Sequence, residues 1–234
     1  PIDRKLRDEF AALTPAEFLE GYGLSECSPI VSVMRPGDPV RDDIEGNCIG
    51  APLPGTQVKI CSENGEELSR GLAGEIVIAG PQVMAGYYQK EEATKEVLEN
   101  GWLKTGDIGV MDENGLLYFM DREKDLIKVL GENIYASHIE RVLLSHPAVV
   151  DVVVCSMPHA KTGETPVALV MRKEGALCDA SLLRAHVREA LSSYHVPSQI
   201  LFLDSLDQFK NAIGKVLKRH VREYVKQREK ESSA

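Results

Sequence analysis

The sequence has no long hydrophobic run, no internal repeat and no low-complexity block. Its most apolar stretch, residues 148–157, is short and is interrupted by Asp151, whereas a helix that crosses a bilayer needs about 20 apolar residues. No basic segment followed by an apolar run opens the chain, so no secretory signal is visible. The apolar stretch therefore argues against a membrane span.

The chain also lacks paired cysteines and clustered histidines. Its five cysteines are odd in number and widely scattered, and no Cys-x-x-Cys occurs, so neither a disulfide framework nor a zinc site is supported. No two histidines are spaced by three or four residues, which removes the usual helical metal pair. We therefore expect reduced thiols in a cytoplasmic protein.

Positive charge is scarce. The 27 Lys and Arg residues stand against 36 Asp and Glu, a net charge of −9. A general affinity for nucleic acid is excluded, because its phosphates would repel the chain. Any anionic ligand must be held by locally placed cations. With 43% hydrophobic and 27% charged residues over 234 positions, the composition suits one or two folded domains.

Strand and helix patterns alternate along the chain, which predicts a combination of α/β and α+β structure. Asn-Gly pairs at residues 64–65 and 114–115 predict two hairpins. Ser-x-x-Glu at residues 137–140 is a capping box that predicts a helix start. The charged segment at residues 121–125 is the predicted domain boundary. Helices are predicted at residues 3–13, 91–98, 180–193 and 214–230, and strands at 57–61, 75–79, 149–155, 167–171 and 199–203.

A glycine-rich segment, Gly-Tyr-Gly-Leu-Ser-Glu-Cys at residues 21–27, admits several interpretations. It fails the dinucleotide fingerprint, because Glu26 occupies the last glycine position. It is one residue from the G-x-S-x-G nucleophile elbow of hydrolases, but Cys27 stands where the tight turn needs glycine. A polar loop that presents Ser25 and Glu26 to a ligand or its metal ion, and a plain tight turn, both stay open.

Two further segments suit either an anionic ligand or ordinary surface structure. Asp107 follows Gly106 on a predicted turn and can accept two hydrogen bonds from a vicinal diol such as a ribose. Arg122, Lys124 and Lys128 lie in a strand-like stretch, where a period of two would place all three on one side. The alternatives are a turn aspartate that bonds its own backbone and a solvated linker.

Two glycine-containing loops follow. Gly131 opens a turn in which a backbone can approach a ligand closely. Asn-Ala-Ile-Gly-Lys at residues 211–215 precedes the last predicted helix and brings Lys215 onto a loop. It is not a phosphate-binding P-loop, because Phe209 stands where that motif needs glycine. Turn geometry and a surface lysine are the alternatives.

In this order and spacing, residues 21–27, 102–107, 121–140 and 211–219 resemble motifs of the adenylate-forming enzymes, which include acyl-CoA synthetases, luciferases and peptide-synthetase adenylation domains. The resemblance extends over essentially the whole chain. Residues 20–27 and 80–88 are most similar to medium- and long-chain fatty acid–CoA ligases. Such enzymes join a carboxylate to ATP, release pyrophosphate, and then transfer the acyl group to the CoA thiol with release of AMP.

The resemblance implies a nucleotide site. Tyr22 would stack beside the adenine, and Asp107 would take the two ribose hydroxyls. Glu26 would act as a catalytic carboxylate on the magnesium side. The residues implied to bind the nucleotide are Tyr22, Gly23, Ser25, Asp107 and Arg122.

The resemblance also implies a second group of functional residues. Lys215 would be catalytic, bridging the reacting carboxylate and the α-phosphate. Lys124 matches a hinge, and Lys128 and Gly131 would face the thioester site and CoA. ATP, Mg²⁺ and coenzyme A are the implied cofactors.

The implied domains are the last segment of a large AMP-binding domain at residues 1–121, a hinge at 122–124 and a small mobile C-terminal domain at 125–234. The family's Ser/Thr/Gly-rich phosphate loop and most of its acyl pocket are not found in the sequence, so we expect part of a longer ligase that is inactive by itself. Two departures from the family pattern are visible: His138 and Ala136 replace an acidic residue and a proline, and residues 209–211 lack the usual opening proline.

Two other functions stay open: a serine hydrolase that uses Ser25, and a non-enzymatic fragment that binds a ligand or partner. The expected partners are a fatty acid or another carboxylate, ATP and CoA, with no nucleic acid. A basic terminal helix leaves peripheral contact with a membrane open, and assembly into a homo-oligomer is undecided.

Overall fold

The computed structural model describes residues 10–212 and 214–232. The chain separates into two compact units, Pro1–Lys124 and Asp125–Ala234. In the described residues no helix is both long and apolar enough to cross a membrane. Of the helix predicted at residues 3–13, residues 3–9 lie outside the described part, and residues 10–13 are helical.

The first unit is built on an antiparallel sheet. Across the described part of this sheet the order is β1-β2-β3-β8-β7-β5-β4, and the short strand β6 pairs with β7. Strand β7 therefore lies between β8 and β5, so its polar side chains have neighbours on both sides. The strands are β1 Gly21–Gly23, β2 Ile30–Val33, β3 Asn47–Pro52, β4 Gln57–Cys61, β5 Gly74–Ala79, β6 Leu98–Glu99, β7 Trp102–Met111 and β8 Leu117–Arg122.

Both predicted Asn-Gly hairpins are confirmed. Strand β4 pairs with β5 and β7 with β8, and Gly65 and Gly115 each have a φ of +81°, which glycine adopts without a steric penalty. Asp112 tightens the second turn, because its Oδ1 accepts the Asn114 N–H at 2.9 Å and the Leu116 N–H at 2.8 Å.

The core of the first unit forms on one side of these strands. Ile76 and Ile78 of β5, Leu103 of β7 and Leu117 of β8 are buried together. Helix α1 spans Glu91–Val97, one residue short of its predicted end, because the chain turns into β6 at the next residue.

The second unit has a sheet with helices on both faces. Its strands are ordered β10-β9-β12-β11 in the described part, with β13 on β12, and β12 and β13 are parallel. The strands are β9 Ile127–Val129, β10 Glu132–Ile134, β11 Val149–His159, β12 Gly163–Arg172 and β13 Gln199–Leu203. The helices are α2 Ala136–Ser145, α3 Ala180–Ala190 and α4 Lys218–Ser232.

Side chains along β11 alternate between the two faces of the sheet and so contribute to two separate cores. Val152 and Val154 pack with α2 and α3 on one face. Val153 and Cys155 project to the opposite face, where α4 packs through Val221. The predicted mixture of α/β and α+β structure is confirmed, with both sheets mainly antiparallel.

One of the three predicted helix starts in this unit is confirmed. Asp179 caps α3, because its Oδ1 accepts the Leu182 N–H at 2.9 Å. Helix α3 ends at Ala190, three residues before the predicted end. Helix α4 begins at Lys218 rather than at residue 214, so the chain at residues 214–217 precedes the helix.

The predicted capping box at residues 137–140 is wrong. Helix α2 begins at Ala136, with Tyr135 as its N-cap and no side-chain capping hydrogen bond. Ala136 and His138, which form the first of the departures from the family pattern, are both buried, so packing of the first turn fixes the helix start. The Glu140 carboxylate accepts the Val154 N–H at 2.8 Å and joins the helix to β11 instead.

Candidate functional site

A buried carboxylate lies at the centre of the polar residues in the first unit. The Asp107 side chain is 3% exposed. Tyr22 Oη donates a hydrogen bond to Asp107 Oδ2 at 2.6 Å, and Arg122 Nε lies 3.3 Å from Asp107 Oδ1. Asp107 and Arg122 are register partners on β7 and β8. The structure thus brings together three residues that the sequence assigned to a nucleotide.

The Tyr22 hydroxyl is held in its neutral form. Burial removes its phenolate from water and so raises the pKa of Tyr22 far above its usual range, and the Asp107 charge raises it further. Tyr22 is therefore a fixed hydrogen-bond donor at any physiological pH, with its ring 6.5 Å from the ring of Phe119.

The backbone before Asp107 fixes the position of this carboxylate. Thr105 Oγ1 accepts the Asp107 N–H at 3.1 Å and donates to the Ile76 carbonyl at 2.7 Å. Gly106 has a φ of +66°, and its N–H donates to Glu75 Oε1 at 2.9 Å. Burial raises the pKa of Glu75. The predicted turn before the hairpin is wrong, because residues 102–107 lie within the long strand β7.

Ser25 and Glu26 lie on a 3₁₀ turn, Ser25–Cys27, that follows β1. Of the interpretations left open for residues 21–27, this position agrees with a polar loop at the end of a strand. Glu26 Oε1 accepts a hydrogen bond from Tyr87 Oη at 2.8 Å, and the Glu26 carbonyl accepts the Met84 N–H at 2.8 Å. Tyr87 is a contact that sequence reasoning missed, although it lies in the 80–88 segment that carried part of the resemblance.

Only glycine fits at position 23. A Cβ added to Gly23 would lie 1.9 Å from the Pro29 carbonyl oxygen, which also accepts the Leu24 N–H at 2.8 Å. This close approach closes the loop that holds Ser25 and Glu26. The glycine is therefore needed for the loop backbone.

A hydrolase that uses Ser25 is not supported. Residues 1–124 contain no histidine, so the first unit offers Ser25 no imidazole base. Ser25 is exposed on its turn, and it has no side-chain hydrogen bond among the contacts of the described residues.

Glu26 fits a magnesium ion that arrives with a nucleotide. Within residues 10–212 and 214–232 no three potential metal ligands cluster. Tyr87 bonds one oxygen of the Glu26 carboxylate, and the half-buried side chain presents the other. Mg²⁺ is usually held by one or two carboxylates together with substrate phosphates and water, so this donor set suits it.

The predicted one-sided stripe of Arg122, Lys124 and Lys128 is wrong. Strand β8 ends at Arg122, and Lys124 lies on a 3₁₀ turn, Glu123–Asp125. Lys128 lies on a different strand, β9. The turn interrupts the period of two that a single strand would have given.

In the second unit, Lys128 and Gly131 lie on the β9–β10 hairpin. Leu130 and Gly131 both have positive φ, +54° and +89°, as a two-residue hairpin turn requires. Lys128 is exposed, and its N–H donates to Glu164 Oε2 at 2.8 Å. The hairpin presents both residues at the surface of the unit.

Lys215 is exposed on the loop before α4. Its N–H donates to Asn211 Oδ1 at 2.9 Å, and its carbonyl accepts the Asn211 N–H at 2.9 Å. Two hydrogen bonds to Asn211 therefore hold the Lys215 backbone.

Two family models match the chain. The model described as AMP-binding enzyme matches residues 1–88, and the model described as AMP-binding enzyme C-terminal domain matches residues 138–215. The Tyr22 and Glu26 loop lies within the first match, and Lys215 ends the second.

Relatives and solved structures agree with this match. A long-chain-fatty-acid–CoA ligase of Escherichia coli O157:H7 is 41% identical over 223 residues, which are 95% of this chain and 38% of the relative. The chain thus spans about two fifths of the length of this relative.

Two solved structures have the same fold. ATP-bound MatB from Rhodopseudomonas palustris aligns with a TM-score of 0.88 and 33% identity, covering 96% of this chain and 44% of MatB. The o-succinylbenzoate CoA synthetase MenE of Bacillus subtilis, in complex with its acyl-adenylate intermediate, aligns with a TM-score of 0.82 and 33% identity over 95% of this chain and 44% of MenE.

Proposed function

The chain belongs to the family of AMP-binding, adenylate-forming acyl-CoA ligases, and from that premise we propose that it is part of a ligase that activates a fatty acid. A fatty acid carboxylate attacks the α-phosphorus of ATP, giving an acyl-adenylate and pyrophosphate. The CoA thiol then attacks the acyl carbon, giving the thioester, AMP and a proton.

The observation that carries this proposal is the buried carboxylate of Asp107. A ribose diol donates two hydrogen bonds, and a carboxylate is an acceptor that suits it. Arg122 balances the carboxylate charge, and Tyr22 adds an aromatic ring at the same place. We assign these three residues, with Gly23 and Ser25, to nucleotide binding.

The difficulty of adenylation is to bring a carboxylate to a triphosphate when both are anions. Charge neutralisation where negative charge develops is the main means of catalysis in such reactions. We assign this task to the Lys215 ammonium. Glu26, held by Tyr87, would bind the Mg²⁺ that accompanies ATP, and the ion would supply further neutralisation of the phosphates.

The second half-reaction involves the small unit. We propose residues 1–121 as the last segment of the large domain, 122–124 as the hinge and 125–234 as the mobile small domain, with Lys124 as the pivot. Lys128 and Gly131, exposed on their hairpin, would serve the CoA side. The chain by itself, which contains no Ser/Thr/Gly-rich phosphate loop, would not complete adenylation.

The fatty acid substrate is inferred from the name of the Escherichia coli relative. MenE is named for o-succinylbenzoate, so an aromatic carboxylate is the alternative substrate to test. All five cysteines lie in the described residues, are buried and form no disulfide, which supports a reducing compartment and hence a cytoplasmic enzyme. We further propose that the basic helix α4 contacts a membrane surface and that the protein self-associates.

The test is pyrophosphate exchange into ATP by the natural protein that carries this chain, with and without added carboxylate. Exchange should depend on a fatty acid, and Lys215→Ala should reduce it by at least about a hundredfold, as expected for a charge that acts in the transition state. Exchange that depends on o-succinylbenzoate instead would show that the proposed fatty acid substrate is wrong. Unchanged exchange in Lys215→Ala would refute the role of Lys215.

A further inference from the structure

The side chain of Lys210 ties the Lys215 loop to the sheet of the second unit. Lys210 Nζ lies 3.0 Å from Asp151 Oδ2 and 3.4 Å from Asp207 Oδ1. Asp207 is 84% exposed, whereas Asp151 is 35% exposed and Lys210 28%. The Asp151 contact is less screened by water, so it is the stronger of the two anchors.

Asp151 is itself fixed. It lies on β11 beside a register shift between Val149 and Asp151, and its Oδ1 accepts the Val152 N–H at 2.9 Å. Strand β11 is the long strand whose two faces supply both cores of the unit. The Lys210 ammonium is therefore anchored to a strand that packs in both cores of the small unit.

The backbone of the loop is closed just beside Lys210. Lys210 forms an antiparallel bridge with Val216, and the Phe209 carbonyl accepts the Leu217 N–H at 2.8 Å. Phe209 is buried in the core under α4. The two ends of the loop are thus joined, and both lie against the sheet.

Asn211 connects this anchor to Lys215. It follows Lys210 directly, and it holds the Lys215 backbone through two hydrogen bonds, one to its N–H and one to its carbonyl, each of 2.9 Å. A shift of Lys210 therefore moves the residue that holds Lys215. The path from the sheet to the functional lysine is Asp151, Lys210, Asn211, Lys215.

We propose that Lys210 and Asp151 are positioning residues for Lys215, fixing where its ammonium is presented during adenylation. This inference rests on the proposed function, in which Lys215 acts on the carboxylate and the α-phosphate. A partly exposed ion pair adds little to global stability. Its value here is orientation, since a small misplacement of a catalytic group lowers the rate steeply.

The kinetic test uses the natural protein with Lys210→Met, which keeps the apolar stem, and Asp151→Asn, which keeps Oδ1. Each should lower carboxylate-dependent pyrophosphate exchange by about three- to tenfold. Thioester formation from supplied acyl-adenylate should stay within about twofold, because Lys215 serves the first half-reaction. Asp204→Asn, which neutralises an exposed carboxylate six positions before Lys210, should leave both half-reactions unchanged.

The double variant, Lys210→Met with Asp151→Asn, tests whether the two residues act as a pair. If Lys210 and Asp151 act as a pair, the double variant loses no more than either single variant. Losses that multiply, or equal losses in both half-reactions, would overturn the inference. Wild-type protein without carboxylate-dependent exchange would refute the proposed function instead, so the two failures are distinguishable.

Hydrogen exchange on the natural protein that carries this chain gives a readout that needs no activity. In Lys210→Met the Lys215 amide should exchange about three- to tenfold faster, while amides of β11 and β12 keep their protection. Unchanged protection of Lys215 would show that the ion pair does not hold the loop.

Discussion

The hydrogen bond between Tyr22 and Asp107 gives a prediction whose magnitude follows from the structure. Tyr22→Phe keeps the ring and removes the hydroxyl that donates to Asp107 Oδ2 at 2.6 Å. Asp107 is nearly inaccessible to water, so the lost donor is not replaced by solvent. A hydrogen bond to a charged group contributes about 1.5–3 kcal/mol, and the remaining Arg122 contact moderates the loss.

We therefore expect Tyr22→Phe to lower the free energy of unfolding by about 2 kcal/mol. In a urea titration with an m-value near 2 kcal/mol per molar, the midpoint should fall by about 1 M while m is unchanged. Tyr88→Phe is the matched control, since Tyr88 is 87% exposed and its hydroxyl contributes little. Equal midpoints for Tyr22→Phe and Tyr88→Phe would refute the claim that this bond holds the site together.

Two other predictions concern the hinge and the buried thiols. Lys124→Pro should slow thioester formation more than adenylation, because proline fixes a φ that suits the 3₁₀ turn at Glu123–Asp125 and hinders its rearrangement; equal slowing of both half-reactions would count against the hinge. Burial raises the pKa of Cys27 and of Cys155 from 9.0 to about 11. The neutral thiols contribute fully to stability below pH 9, and this contribution is lost as the pH rises through 11. The thermal unfolding temperature should therefore fall across that window, and it should fall less steeply in Cys155→Ala. A fall in Cys155→Ala parallel to that of the wild type would contradict the claim that burial of Cys155 raises its pKa.

Features set by neighbouring residues were predictable from the sequence. Strands β4 and β13 have their predicted bounds, and the Asn-Gly hairpins and the Asp179 cap were found because turn and cap chemistry act over a few residues. The capping box at residues 137–140 failed because burial of Ala136 fixes the start of α2.

The contacts that build the site could not be read from the sequence, because they join distant residues. Tyr22 and Asp107 are 85 positions apart, and Glu26 and Tyr87 are 61 apart. The resemblance named Tyr22 and Asp107 separately, and only the folded structure shows that their side chains meet. The expected cationic stripe failed for a local reason, since the 3₁₀ turn after Arg122 ends the strand.

The central claim is that the natural protein forms an acyl-adenylate and therefore releases AMP. The direct measurement is identification of the nucleotide and thioester products after incubation with ATP, Mg²⁺, a fatty acid and CoA. AMP, pyrophosphate and acyl-CoA should accumulate in equal amounts, and acyl-AMP should appear when CoA is left out. Release of ADP and phosphate, or thioester formation without AMP, would contradict the account.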